Sequence, residues 1–144
     1  MEMWNAQWII IHIDLNVINS DIMLFNFNYN YKFTTNLKLN EDTLEVVKEA
    51  KLLGVIITDD LKWDKNTEFL VKKSTLRMQL LRKVAKFTTS VEERKEIYIL
   101  FVRSILEQSC VVWHSSLTQQ NSDDLERVHK EAIEIIIGKI LRLQ

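Results

Sequence analysis

The chain has 144 residues, 47% hydrophobic and 27% charged, enough apolar material for one ordinary domain to bury a core. A net charge of −1 excludes a uniformly cationic nucleic-acid coat. With Cys110 as its one cysteine the chain can form neither an intrachain disulfide nor a cysteine-based zinc site, so cytoplasm or nucleus is expected rather than secretion.

Charge is segregated along the chain. Met1–Asp60 holds nine acidic and four basic residues, Leu61–Leu106 eleven basic and five acidic, and Glu107–Gln144 six acidic and four basic. A local basic excess of this kind suits one polyanion-facing surface. The absence of proline and the presence of two glycines favour long helices and leave no flexible linker.

Trp8-Ile9-Ile10-Ile11-His12-Ile13 is apolar but lacks a basic leader. It is far shorter than the ~20 residues that span a bilayer, so it reads as a strand or a fragment end, and no membrane association is expected. From Ile22 to Leu39 aromatic residues and asparagines alternate through Phe25-Asn26-Phe27-Asn28-Tyr29-Asn30-Tyr31, the period-two pattern of a strand with one buried face. Leu44–Val47 and Leu52–Ile57 are β-rich runs joined by Lys48-Glu49-Ala50-Lys51, which predicts a hairpin turning at those four residues. Gly54, inside the second run, predicts a bulge or a close backbone approach.

The remainder predicts helices. Asp64 can cap a helix running to Phe87, with Leu70, Val71, Ser74, Met78, Leu81, Val84 and Ala85 inward. Ser90 and Glu93 have the spacing of a capping box that opens a second helix, with Ile97, Leu100, Phe101, Ile105 and Leu106 inward and an end near Trp113. Asn121 or Ser122 is placed to cap a third, carrying Leu125, Val128, Ala132, Ile133, Ile136 and Ile137 and closed by Gly138. The fold class is α+β: N-terminal strands with a hairpin, then a three-helix bundle.

On the first helix Lys65, Lys72, Lys83 and Lys86 recur near helical spacing, Lys73 and Arg77 lie one turn apart, and Arg82 precedes Lys86 by one turn. Such a face can follow a phosphate backbone; its plainer reading is a solvated surface. Asp59-Asp60 invites a two-metal reading, but adjacent strand residues point to opposite faces, and the pair reads more simply as the turn from strand into helix. His12, His114 and His129 have no metal-ligand spacing and read as structural or surface residues. Cys110 reads as a helix-packing residue away from any helix N-terminus. Neither a GxxxxGK[ST] nor a GxGxxG sequence is present.

Lys51-Leu52-Leu53-Gly54-Val55-Ile56-Ile57, Asp60-Leu61-Lys62-Trp63, Lys72-Lys73, Leu80-Leu81-Arg82-Lys83, Tyr98, Val102-Arg103-Ser104-Ile105-Leu106-Glu107, Val112-Trp113 and Leu125-Glu126-Arg127-Val128-His129-Lys130 stand in a telling order. From about Ile22 to Gly138 the chain resembles the region after the catalytic palm in reverse transcriptases of non-LTR retrotransposons, the jockey-like group of mobile elements. The resemblance implies a degenerate palm end and primer-grip hairpin over residues 1–60 and a helical thumb over 61–144. It implies that Leu53, Gly54 and Val55 belong to the grip, where the missing side chain of Gly54 admits a nucleic-acid backbone. It further implies that Lys72, Lys73, Arg77, Arg82 and Lys83 contact an RNA–DNA or DNA duplex from the thumb.

The chain also departs from that pattern. Leu15-Asn16-Val17 and Ile22-Met23-Leu24-Phe25 resemble the last palm segment, but Asn19-Ser20 stands where the family places a lysine before a hydroxyl residue. No aromatic-x-Asp-Asp step is present. The expectation is therefore a truncated, non-catalytic fragment of an RNA-directed DNA polymerase with no cofactor of its own, magnesium belonging to the missing palm. The rival expectation is a small helical protein-interaction module, with self-association through apolar strand edges between Ile22 and Ile57.

Overall fold

The computed structural model describes residues 8–13, 21–26, 38–39, 42–43, 45–87 and 90–138. Short strands come first and helices follow, the α+β class expected. The chain divides into two compact units, Met1–Lys62 and Trp63–Gln144.

In the first unit, β1 (Trp8–Ile13) pairs antiparallel with β2 (Asp21–Asn26), so the apolar N-terminal run is a strand. Ile22, Met23 and Phe25 of β2 are buried. The aromatic alternation beyond Asn26 lies outside the described residues as far as Leu37. Next come β3 (Lys38–Leu39) and β4 (Asp42–Thr43), an antiparallel pair, and β5 (Glu45–Val47), which lies parallel to β2 on the side away from β1.

The hairpin departs from the expectation. Its arms are β6 (Glu49–Leu52) and β7 (Val55–Thr58), paired Leu52 to Val55 and Glu49 to Thr58. The four residues predicted to turn are therefore mostly strand, and Glu45–Val47, expected in the other arm, pairs with β2 instead. Local turn chemistry decides the matter. Leu53 and Gly54 both have positive φ, 49° and 87°, the requirement of a two-residue type I′ turn that matches strand twist. Gly54 thus serves a turn rather than a bulge within a strand. After β7, Asp59-Asp60 forms the expected turn. Oδ1 of Asp60 accepts from Thr58 Oγ1 (2.7 Å) and from the Lys62 amide (3.1 Å).

The second unit is a helical bundle. Helix α1 (Asp64–Phe87) buries Asn66, Thr67, Leu70, Ser74, Met78, Leu81 and Ala85, a sector of roughly 120° at helical pitch. Ser74 is admitted to this core because its hydroxyl donates to the Leu70 carbonyl at 2.6 Å. Asp64 is the first helical residue instead of the cap. The Trp63 carbonyl receives the Thr67 amide, and the Asp64 carboxylate accepts from Asn121 Nδ2 at 2.8 Å.

Helix α2 (Val91–Ile97) opens as expected, with the Ser90 hydroxyl accepting from the Glu93 amide. Its continuation is not α-helical. Tyr98–Arg103 forms a π-helical segment that leads into α3 (Ser104–Leu106). The wider turn shifts the inward face, so Val102, Ile105 and Leu106 are buried while Leu100, expected inward, is 66% exposed and Phe101 is exposed too.

Ser109 then takes φ 53° and α4 (Cys110–Trp113) starts anew, which puts Cys110 at the first position of a four-residue helix, contrary to expectation. Trp113 is fully buried with its indole N–H donating to the Gln108 carbonyl at 2.9 Å. A 3-10 turn, His114–Ser116, precedes α5 (Gln119–Ile136).

Helix α5 begins earlier than predicted. Thr118, not Asn121 or Ser122, is its cap, accepting from the Asn121 amide at 3.2 Å, which frees the Asn121 side chain to face Asp64. Leu125, Val128, Ala132, Ile135 and Ile136 are inward, whereas Ile133 and Ile137, expected inward, are exposed. The stripe follows 3.6-residue pitch, and Ile133 and Ile137 stand one step off it. Gly138 closes the helix at φ 74°, its amide on the Ile135 carbonyl. Among the described residues no helix is long and apolar enough to cross a membrane.

Candidate nucleic-acid interface

The five cations singled out on α1 do not share one face. At about 100° per residue, Lys72 and Lys83 point directly away from the buried sector, and Lys86 lies nearby. Lys73 and Arg77 fall on the other flank. Between the two groups runs a narrow strip of Phe69, Leu76, Leu80 and Phe87 that periodicity toward the core did not bring out. Leu76 is 61% exposed and Phe87 90%.

Each cation has its own surroundings. Lys72, Arg77 and Lys83 are exposed and form no ion pair with another described residue. Lys73 is half-buried with its ammonium 5.7 Å from the centre of the Phe69 ring, a cation–π distance. Arg82 is committed elsewhere: its guanidinium pairs with Glu131 of α5. Breaking that pair to reach a phosphate would leave Glu131 without its partner, so Arg82 is the least available of the five. Lys72 and Lys83 stand about 16 Å apart along the helix axis.

The hairpin residues belong to the other unit. Leu53 is 88% exposed at the turn, Gly54 is half-buried beside it, and Val55 is buried in the first pair of β7. The Asp60 carboxyl is held below the usual range by the Thr58 hydroxyl first and the Lys62 backbone amide next, and Lys62 Nζ stands 3.4 Å away. Its hydrogen bonds are those of a turn.

One feature escaped the sequence reading. Cys110 and His114, four residues apart, and His129 of α5 line a single cleft of about 380 Å³ together with Trp113, Glu107 and Glu126. His129 shares a hydrogen bond through Nδ1 with the Tyr98 hydroxyl, the rings meeting edge to face at 6.1 Å. Burial pushes the His129 imidazole below its ordinary pKa, opposed by the Glu107 carboxylate. The restart of the helix at Ser109 brings Cys110 to this cleft, and that left-handed residue has no reliable sequence signal. Among the described residues no group of three histidine, cysteine, aspartate or glutamate side chains is placed to hold a metal ion. No family model, curated protein or solved structure matches the chain.

Proposed function

We propose that the chain is a non-catalytic remnant of an RNA-directed DNA polymerase of the jockey-like, non-LTR retrotransposon kind, and that α1 binds the backbone of an RNA–DNA or DNA duplex. The observation that carries the binding reading is the outward edge of α1. Lys72 and Lys83 project from a rigid helix without carboxylate partners among the described residues, in the most basic stretch of the chain. The order of elements supports the lineage: a hairpin turning at Leu53-Gly54, an Asp59-Asp60 turn, then a long basic helix. The non-catalytic part rests on the sequence, which has no aromatic-x-Asp-Asp step to gather two magnesium ions.

A fluorescence-anisotropy titration of a labelled RNA–DNA hybrid at low salt tests the reading. Weak binding that falls steeply with salt is expected, because phosphate contacts dominate such interfaces. Lys72→Glu with Lys83→Glu should weaken it roughly tenfold and flatten the salt dependence, while Arg82→Gln changes it much less. Absence of affinity for any duplex at low salt would sink the binding reading. Primer extension in magnesium with all four nucleotides would overturn the non-catalytic one.

A further inference from the structure

We propose that the outward apolar seam of α1 docks a second, acidic amphipathic helix supplied by a partner protein. Phe69, Leu76, Leu80 and Phe87 are seven, four and seven residues apart. On a helix they fall within roughly 40° of one another, about 27 Å from first to last. This is the spacing of a coiled-coil seam. It lies well away from the sector occupied by Leu70, Met78, Leu81 and Ala85, so it is a second apolar face and not the rim of the core. Three of its four residues are exposed, Leu80 beside Leu76 and Phe87, an arrangement that single scattered surface hydrophobics do not produce.

Charge identifies the occupant. Lys73 and Lys83 occupy seam positions of the same heptad register, and Lys72 and Arg77 flank the seam on opposite sides. A second copy of this face would bring lysine against lysine at both seam positions and cation against cation along both flanks. A helix with apolar residues at heptad spacing and glutamate or aspartate beside them would cover the leucines and phenylalanines and pair with all four cations. The α1 backbone is already fixed by its own core, so the surface is preorganised and the incoming helix alone must be ordered. The inference does not depend on duplex binding. It uses the leucines, which a phosphate backbone does not contact.

The test uses the full chain and a fluorescein-labelled peptide of three heptads, leucine at its seam positions and glutamate flanking them. A second peptide carries lysine in place of each glutamate. Saturable binding of the acidic peptide is expected, with the lysine version at least about tenfold weaker. Leu76→Ser with Leu80→Ser, both exposed and so compatible with the fold, should cost the acidic peptide about tenfold or more. Duplex affinity should be unchanged in that variant, which separates the two functions. No binding of the acidic peptide overturns the proposal. So does binding that survives the two serines, which would be simple attraction of a polyanion. A dimer of the chain in sedimentation that the same serines dissociate would assign the seam to a second copy and overturn it equally.

Discussion

His129 shows how one residue can set a pH dependence. Burial lowers the pKa of its imidazole from the ordinary 6.5, with Glu107 and Glu126 opposing the shift and Arg103 reinforcing it. As pH falls through 6.5 the unfolded chain takes up the proton before the native one. The unfolded state therefore binds more protons, and native stability declines with falling pH. The contribution is complete above about 6.5 and is lost as pH drops through the lowered folded value. Urea midpoints measured from pH 7.5 down to 5 should fall for the native chain, and His129→Gln should flatten that slope. An unchanged slope would mean that other groups titrate in its place. Arg94 is a different kind of buried charge. It is 6% exposed, with Nε on the Ser90 carbonyl at 3.1 Å and a terminal nitrogen on the Ile135 carbonyl at 3.3 Å, so it neutralises the C-terminal end of α5 from the start of α2. Its role could not be read from the sequence, where Arg94 is one more cation in a basic stretch.

Among elements, the β6–β7 hairpin is where local and pattern signals disagree. Leu53 occupies a left-handed position with a bulky side chain, which costs about 1–2 kcal/mol relative to a residue at ease there. It is almost wholly exposed and gains little from burial in return. Leu53→Asn creates the Asn-Gly pair preferred in such turns and should stabilise the hairpin by about 1 kcal/mol. Hydrogen exchange at the Leu52 and Val55 amides should slow accordingly; faster exchange would rule out strain at Leu53.

The helices were legible where their signal is periodic. The inward stripe of α1, the Ser90 cap and the Gly138 stop follow from spacing and side-chain chemistry alone. Ile133 and Ile137 were misplaced because both are apolar and one step from the true stripe, Leu100 and Phe101 because the π turn shifts the inward face. Only packing distinguishes such neighbours. The same is true of the candidate site: the lysines were visible as a set, but the strip dividing them and the Glu131 partner of Arg82 required the folded helices.

At the scale of the molecule, the chain consists of two units with different resources. Met1–Lys62 contains short strands, among them β3 and β4 of two residues each and β5 of three. Trp63–Gln144 contains a full apolar core running through Leu70, Met78, Leu81, Val102, Trp113, Val128 and Ile135. Each such side chain, fully buried, contributes about 1.5–3 kcal/mol. The 63–144 segment expressed alone should therefore keep its helical circular dichroism and melt cooperatively, with the fluorescence of its two tryptophans, Trp63 and Trp113, following the same transition. A broad, non-cooperative melt would show that this core is insufficient by itself.

The π-helical segment Tyr98–Arg103 has a consequence for inheritance. A π turn accommodates an extra residue within an otherwise α-helical path. Removing a residue from an ordinary helix rotates everything beyond it by about 100° and turns the inward stripe toward water. Within Ile99–Phe101, where the side chains already face outward, losing one codon would instead draw the wide turn back to regular pitch. For a gene free to shed sequence, this is the place between α2 and α3 where an in-frame deletion does the least harm.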